Sequence, residues 1–301
     1  MNAIECWHGV NGSPSYFPFE ICKRILVPFH LIYQKKVKIE WITNLQEKGI
    51  AFMIDSGAAY YYLNTNKEYP ENYLKDYLEF LEKIKPNYAF ALDFCFESPK
   101  YRTEKKLNDN FISQRVSLLT ALKKGLILLP VVQGWNEESY KESAREVKKL
   151  LKLTNQKEFG IGSICRAKKE RVKQVLKFIK PILNLEYAHG FGQTQRTIPI
   201  LKRFKLARVD TSNASGNAAN RCYCDPFGKW FYGEKSPTNP KHNFEQLFPI
   251  DQSRELYHYL FERNYESLEF SCLKVPRNWI HPVHNNRIDF YVVKEKGVVA
   301  P

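Results

Sequence analysis

Short runs of apolar residues recur along residues 24–213, and each predicts a strand that is buried on both faces. None shows the alternation of apolar and polar side chains that marks a half-exposed strand, so the runs are typical of a parallel sheet covered by helices. The runs are Arg24–His30, Ala51–Gly57, Tyr88–Cys95, Leu126–Gly134, Phe159–Cys165, Leu185–Gly192 and Leu206–Asn213.

Amphipathic helices are predicted between these runs, because apolar side chains recur there at spacings of three and four residues. The stripes are Tyr73, Tyr77, Phe80, Leu81 and Ile84; Phe111, Val116, Leu119 and Leu122; Tyr140, Ala144, Val147 and Leu151; and Val172, Val175, Leu176 and Ile179. Pro181 ends the last of these helices, and a shorter crossover containing Pro199 follows it.

Seven strand–helix repeats in about 190 residues indicate an α/β chain folded as a TIM (β/α)8 barrel. An open doubly wound sheet is the alternative, although no Gly-x-Gly-x-x-Gly motif follows the first strand. The eighth strand is not evident, and Leu268–Val275 is one candidate. We therefore expect a barrel core at residues 1–215 and an extension at residues 216–301 that completes and decorates the barrel.

The charge of the chain is concentrated in one segment. Lys and Arg number 46 against 32 Asp and Glu, which gives a net charge of +14. Residues 141–208 hold 18 of the basic residues and only 5 of the acidic ones. A local basic field favours a polyanion such as nucleic acid, whose phosphates it neutralises. Lysine-rich helix faces in contact with water are the alternative explanation.

Neither a membrane protein nor a secreted protein is predicted. The longest apolar run, Leu126–Val132, is far shorter than the ~20 residues that span a bilayer. The first residues lack a basic segment followed by an apolar one, so no signal peptide is expected. The 7 cysteines are an odd and sparse number for 301 residues, which is typical of a reduced, cytoplasmic chain.

Polar residues and glycines stand at the ends of the predicted strands. They are Asp55-Ser56-Gly57, Asp93-Phe94-Cys95, Gln133-Gly134, Gly162-Ser163, His189-Gly190-Phe191-Gly192 and Asp210-Thr211-Ser212. Any one of these groups can be explained as a turn or a helix cap. Because the strand ends of a barrel meet at one mouth, their recurrence predicts a pocket with three carboxylates, an amide and a histidine.

This set of groups suits chemistry at a glycosidic bond. One carboxylate attacks the anomeric carbon and forms a covalent intermediate. A second carboxylate moves the proton of the leaving or incoming group. The third, together with a glutamine amide, reads the donor and acceptor edge of a purine. No cofactor is required by such a scheme.

The same segments carry a family resemblance. DSG (55–57), LDFC (92–95), VVQG (131–134), GIGSICR (160–166), AHGFG (188–192) and ARVDTS (207–212), in this order, resemble the tRNA-guanine transglycosylase superfamily. GIGSICR and HGFG are most similar to its DpdA branch, which acts on DNA. The resemblance implies a TIM barrel that exchanges guanine in DNA for a free 7-deazaguanine base such as 7-cyano-7-deazaguanine (preQ0).

Matched motif by motif, the resemblance also implies roles for individual residues. Asp210 corresponds to the nucleophile that attacks C1′, and Asp55 to the general acid and base. The substrate-binding residues it implies are Asp93 on the guanine edge, Gln133 with the backbone of Gly162 and Ser163 on the carbonyl and the 7-substituent, and Cys95, His189 and Phe191 in the pocket wall.

Nucleic acid is expected to bind beside the mouth. The target guanosine must leave the base stack, because its C1′ is inaccessible within a duplex. Basic residues follow the fifth predicted strand, and the first of them are candidates for phosphate contacts: Arg166, Lys168, Lys169 and Arg171. Lysines beyond Arg171 on the same helix are expected to face bulk water. Partner proteins of a DNA-modification system remain an open question.

The sequence departs from the family pattern at three places. Ala58, Ala59 and Tyr60 follow DSG where the tRNA enzymes have a glycine, an aromatic residue and a glutamine, so base stacking passes to Tyr60 or Phe191. Ser163 stands where the family has the second glycine of its fourth motif.

The zinc signature is the third departure. The tRNA enzymes bind zinc through a Cys-x-Cys-x-x-Cys…His motif, but here Phe227 stands at the third position after Cys222 and Cys224. A histidine such as His242 would have to complete a tetrahedral set. We therefore expect a degenerate or absent zinc subdomain and an unmetallated cysteine pair.

Three other functions remain open at this point. The chain can be a tRNA-guanine transglycosylase of the queuosine or archaeosine type, with tRNA as its partner. It can also be a non-catalytic, nucleic-acid-binding subunit of that superfamily, although Asp55, Asp93 and Asp210 are all retained. An unrelated barrel glycosidase with two carboxylates is disfavoured by the basic charge.

Overall fold

A computed structural model describes residues 3–10, 19–165, 167–212, 222–224, 230–232, 262, 264, 265 and 272. Eight strands in it form one sheet in which every neighbouring pair is parallel. They are β1 Glu5–Gly9, β2 Arg24–Pro28, β3 Ala51–Asp55, β4 Tyr88–Ala89, β5 Val131–Val132, β6 Phe159–Ile161, β7 Ala188–Gly190 and β8 Arg208–Thr211. Each of the seven predicted runs contains one of the strands β2 to β8.

The sheet curls until its two edge strands touch. Its order is β4-β3-β2-β1-β8-β7-β6-β5, so β4 and β5 lie at the edges. Just beyond β4, Phe90 forms a parallel bridge with Leu129, which precedes β5. The Leu129 amide donates to the Ala89 carbonyl at 2.8 Å, and the Ala91 amide donates to the Leu129 carbonyl at 2.9 Å. The α/β class and the parallel sheet are therefore confirmed.

The strand that the sequence left unplaced is β1, at the beginning of the chain. It pairs with both β2 and β8, with Trp7 opposite Asp210. The candidate Leu268–Val275 is wrong, since Cys272, the one residue of that range that the structure describes, is helical. Sequence reasoning missed β1 because it contains no continuous apolar run. Cys6 and Trp7 are its only consecutive apolar residues, and they are flanked by Glu5 on one side and by His8 and Gly9 on the other.

Helices follow most strands and cover the outer face of the sheet. They are α1 Phe29–Tyr33, α2 Ile39–Glu47, α3 Tyr73–Ile84, α4 Glu104–Lys123, α5 Glu137–Thr154, α6 Lys169–Ile179 and α7 Ile198–Arg203, with a π-helix at Ala59–Thr65 and 3-10 turns at Phe19–Ile21, Pro99–Tyr101 and Leu185–Tyr187. The predicted apolar stripes of α3, α5 and α6 are all buried. No helix among the described residues is long and apolar enough to cross a membrane.

The predicted stripe of α4 is wrong. Val116 and Leu122 are 48% and 39% exposed, while the buried face includes Asn110, Gln114 and Ser117. This polar face serves the seam between β4 and β5, where two short strands leave backbone groups without sheet partners. Gln114 accepts from the Val131 amide at 2.7 Å and donates to the Val131 carbonyl at 2.9 Å. Buried backbone groups need such partners, so polar residues belong on this helix face.

Apolar side chains on the inner face of the sheet form a separate cluster. Its members are Trp7, Leu26, Met53, Phe90, Leu129, Val131 and Phe191. Successive side chains in a strand point to opposite faces, so these residues alternate with those that pack against the helices. The residues that follow the inner face toward the carboxyl ends of the strands include Asp55 and Asp210.

The segment 216–301 lies mostly outside the described residues. Its described part contains an antiparallel pair of strands, β9 Cys222–Cys224 and β10 Trp230–Tyr232. Two other contacts tie it to the amino ends of the first strands: the Ile4 amide donates to the Cys272 carbonyl, and the Lys23 amide donates to the Tyr265 hydroxyl, both at 2.9 Å. The division at residue 215 stays a prediction.

Candidate active site at the carboxyl ends of the strands

Asp210 lies near the end of β8 and is held through one carboxylate oxygen. Its Oδ1 accepts from the Gly192 amide at 3.0 Å and lies 3.0 Å from Nε2 of His189. The residue is only 7% exposed. Gly192 has a φ of +61°, a conformation that suits glycine, so the turn after β7 aims its amide at the carboxylate.

Asp55 ends β3, on the other side of the mouth. The Gly57 amide donates to its Oδ2 at 3.2 Å. Burial, followed by the nearby charges of Asp93 and Asp210, raises the pKa of Asp55 from 3.8 to about 8. Such a carboxyl group is mostly protonated at pH 7. The charges of Asp93 and Asp210 both act on Asp55, and the adjacent Ser56 hydrogen-bonds Asp93, so the three predicted carboxyl groups lie near one another.

Asp93 follows β4 and is enclosed by hydrogen bonds. Its Oδ1 accepts from the Ser56 hydroxyl at 2.6 Å, and its Oδ2 accepts from the Gln133 amide at 2.5 Å. Burial raises the pKa of Asp93, although these two hydrogen bonds act in the opposite direction. The Asp93 side chain is thus fixed in place before any ligand arrives.

Gln133 and Ser163 extend this chain of hydrogen bonds. The Ser163 hydroxyl donates to Oε1 of Gln133 at 2.5 Å, so both ends of the amide are oriented. Ser163 itself has a φ of +51° and accepts from the Phe96 amide at 2.9 Å. A Cβ on Gly162 would lie 2.1 Å from Nε2 of Gln133, so glycine is required there for the amide to reach Asp93.

His189 and Phe191 are both buried, and their rings pack against each other. His189 is fully buried, and its ring packs against the rings of Phe90 and Phe191 at centroid distances of 5.4 and 4.7 Å. Burial is the main cause that lowers the pKa of His189, so the imidazole is neutral at pH 7. Phe191 is 8% exposed and belongs to the inner apolar cluster.

Cys95 is buried beside the site, and its thiol stays protonated. Burial raises the pKa of Cys95 to about 12, with the nearby Glu97 charge acting in the same direction. A thiol in this state packs as a small apolar group. The position of Cys95 in the pocket wall stays a prediction.

Tyr60, the residue considered for base stacking, belongs to the π-helix after Asp55. Its ring stacks on His30 with a centroid distance of 4.3 Å and an interplanar angle of 4°. The ammonium group of Lys36 lies 5.9 Å from the centre of the same ring. Tyr60 is partly exposed at the mouth, whereas Phe191 is not.

The basic residues predicted to contact phosphates differ in their surroundings. Lys168 precedes the first turn of α6, Lys169 begins that helix, and both are exposed. Arg171 donates to the Trp135 carbonyl at 2.7 Å and lies over the Tyr140 ring, so it is engaged within the chain. Arg166 lies outside the described residues.

The candidate zinc ligands lie largely outside the residues that the structure describes. Among the residues that the structure describes, no group of three or more histidine, cysteine or acidic side chains is placed to hold a metal. The backbone of Cys222 and Cys224 lies in β9, but their side chains, like His242, lie outside the described part.

Three functional residues escaped sequence reasoning or were seen only as turn formers. A Cβ on Gly9 would lie 3.6 Å from Oδ2 of Asp210. Ser56 bonds Asp93, and the Tyr69 hydroxyl donates to the Asp93 carbonyl at 2.8 Å while lying 3.1 Å from Oγ of Ser56. The signal for Ser56 is its place in the DSG motif, but nothing in the sequence links Tyr69 to Asp93.

No protein-family model matches this chain, and no curated protein sequence matches it.

Proposed function

We propose that this chain is a DNA-guanine transglycosylase, which exchanges guanine in DNA for a 7-deazaguanine base such as preQ0. The observation that carries the proposal is the convergence of Asp55, Asp93 and Asp210 with different surroundings. Asp55 has a pKa of about 8, Asp93 is enclosed by hydrogen-bond donors, and the described residues that hold Asp210 do so through its Oδ1. Groups in such different states can take the separate parts of a base exchange.

The fold supports the same proposal. Eight parallel strands with helices on the outer face, and edges that meet at Phe90 and Leu129, fit a TIM barrel. In that fold catalytic residues come from the carboxyl ends of several strands. Asp55 and Asp210 occupy such positions on strands that are separated by two others in the sheet.

In the proposed mechanism, Asp210 attacks C1′ of the target deoxyguanosine. An ester bond forms between a carboxylate oxygen and C1′ while the bond from C1′ to N9 breaks, and its electron pair leaves with the guanine. The protonated Asp55 supplies the proton that the departing base requires. A free 7-deazaguanine then gives its N9 proton to Asp55 and attacks C1′, which releases Asp210.

Recognition of the base rests on Asp93 and Gln133. Asp93 offers acceptor lone pairs suited to the ring N–H and exocyclic amine of a guanine-like base. Gln133 is oriented by Asp93 at one end and Ser163 at the other, so its remaining donor has a defined direction. A fixed set of partners favours a ligand with a matching edge, since a mismatched one would leave buried polar groups without partners.

The decisive experiment measures base exchange directly. In the first assay, purified protein is incubated with radiolabelled guanine and either plasmid DNA or bulk tRNA. In the second, nucleosides from cells that express the protein and are supplied with preQ0 are analysed by mass spectrometry. We expect label and modified deoxyguanosine in DNA, and loss of both in Asp210→Asn. Labelling of tRNA alone would replace DNA with tRNA as the substrate. Absence of exchange in both polymers would contradict catalysis and leave a binding subunit.

A further inference from the structure

The carboxylate of Asp210 is held asymmetrically, and His189 is the reason. Both the Nε2 atom of His189 and the Gly192 amide lie 3.0 Å from the same oxygen, Oδ1. Resting on the proposed function, we infer that His189 is a positioning residue, which fixes Asp210 so that Oδ2 is the atom that attacks C1′.

The tautomer of His189 follows from its partners. Only an N–H can donate to a carboxylate oxygen, so Nε2 must carry the proton of the neutral ring. Nδ1 is then an acceptor, and among the described residues it has no hydrogen-bond partner. The one polar contact of this buried ring therefore goes to Asp210.

Packing prevents the imidazole from turning away. The rings of Phe90 and Phe191 lie against it, and Phe191 fits only because residue 160 is glycine. A Cβ on Gly160 would lie 2.6 Å from Phe191 and 3.1 Å from Phe90. A ring confined in this way donates in one direction, which is the condition for orienting a nucleophile.

The other oxygen, Oδ2, lies beside a residue that has no side chain. Gly9, at the end of β1, is the residue next to Oδ2, where an added Cβ would lie at 3.6 Å. With Oδ1 engaged by two donors, Oδ2 keeps its lone pairs for bond formation. The ester to C1′ forms at Oδ2 as the base leaves, and the bond from Oδ2 to C1′ breaks when the new base attacks.

The test compares His189→Leu and His189→Gln with the wild type. Leucine removes the donor but keeps an apolar filling, whereas the amide nitrogen of glutamine can reach the position of Nε2. We expect His189→Leu to lower the kcat of radiolabelled guanine incorporation about 10²-fold, the order that loss of orientation costs. His189→Gln should recover most of that loss, and the affinity for free guanine should change in neither variant.

His8→Gln is the matched control. His8 is as buried as His189, but its ring packs against Phe19 and Tyr265 rather than Asp210. It should show a comparable change in thermal unfolding with exchange close to wild type. Unimpaired exchange in His189→Leu, or a loss that His189→Gln does not reverse, would overturn the positioning role alone. A wild type without exchange on DNA or tRNA would overturn the proposed function as well.

Discussion

Asp55 lies near two other carboxyl groups, and its pKa is raised first by burial and then by the charges of those neighbours. Burial and the charges of Asp93 and Asp210 all favour its neutral form. A folded protein that binds this proton up to about pH 8 differs from its unfolded chain, in which the group ionises near its ordinary pKa of 3.8. The raised pKa of Asp55 therefore makes the free energy of unfolding depend on pH.

The sign of that link gives the first prediction. Between pH 4 and pH 8 the folded state binds more protons than the unfolded state, so Asp55 lowers stability as the pH rises through this window. Asp55→Asn removes the charge. We expect its melting temperature to rise relative to wild type between pH 5 and pH 9, by about 2–4 °C for each kcal/mol relieved.

Calorimetry of both proteins across this pH range provides the measurement. Glu142→Gln, at an exposed position on α5, is the control and should follow the wild type at every pH. A constant difference between Asp55→Asn and wild type would show that the carboxyl group does not titrate in the folded state as described. The same variant should lose base exchange, because its amide supplies no proton.

Gly162 controls the orientation of the Gln133 amide through the absence of a side chain. In Gly162→Ala the new Cβ would overlap the Gln133 amide, which must then leave Asp93. We expect the affinity for free guanine, measured by calorimetric titration, to fall at least about 10-fold, the cost of one charge-assisted hydrogen bond.

The matched control for this substitution lies one strand away. In Gly190→Ala the nearest atom to the Cβ is the end of the Leu206 side chain, at 3.3 Å, and the side chains of Gln193 and Val209 lie at 3.6 and 3.8 Å. Guanine affinity should therefore be retained in Gly190→Ala. Equal affinity in both variants and the wild type would remove Gln133 from base recognition.

Helix α4 replaces sheet hydrogen bonds with side-chain hydrogen bonds. Strands β4 and β5 contain two residues each, and backbone groups of β5 and of the segment after β4 bond to the buried polar face of the helix. This arrangement lets the chain leave the sheet after Ala91, and the segment that follows carries Asp93 to Gln133. A regular ladder in this place would continue the strand instead.

Gln114→Leu tests that arrangement. It leaves the amide and carbonyl of Val131 buried without their partners, so we expect a loss of about 2–4 kcal/mol in the free energy of unfolding. Urea denaturation gives the value, and faster hydrogen exchange at the Val131 amide would locate it. Ile112→Ala, 62% exposed on the same helix, is the control. A stable Gln114→Leu protein would contradict the role of the seam.

The sequence predicts strands and helices where burial is uniform, and fails where polar groups are buried. The runs containing β2 to β8 are mainly apolar, but the buried face of α4 carries amide and hydroxyl groups, and such residues are expected to be exposed when only the spacing of apolar residues is considered. Likewise β1 is short and mixed, so Gly9 beside Asp210 was not expected. These failures share one cause: hydrogen bonding between distant segments has no local sequence signal.

The site follows the same division. That Asp55, Asp93 and Asp210 converge is predictable, because parallel strands of one sheet end at one edge. Which oxygen each carboxylate uses, and which group holds it, is set by side-chain contacts such as that of His189 with Asp210. Those contacts depend on packing in three dimensions, so residue order alone does not give them.

The distribution of basic residues along α6 leads to a prediction about the salt dependence of DNA binding. Lys168 and Lys169 are exposed at the start of α6, close in sequence to Ser163 of the site, whereas Lys173 and Lys177 are exposed further along that helix. If the first pair contacts phosphates, replacing both with alanine should lower the slope of log affinity against log salt by up to about 1.8, or about 0.9 for each phosphate of duplex DNA.

Fluorescence anisotropy with a labelled duplex, at salt concentrations from about 50 to about 200 mM, measures that slope. The double variant Lys173→Ala with Lys177→Ala removes the same charge from the same helix, so a purely global effect of charge would change both slopes equally. Equal changes would place the duplex elsewhere on the protein. A change confined to the first pair would mean that the phosphates pass the start of α6, beside the mouth that holds Asp210.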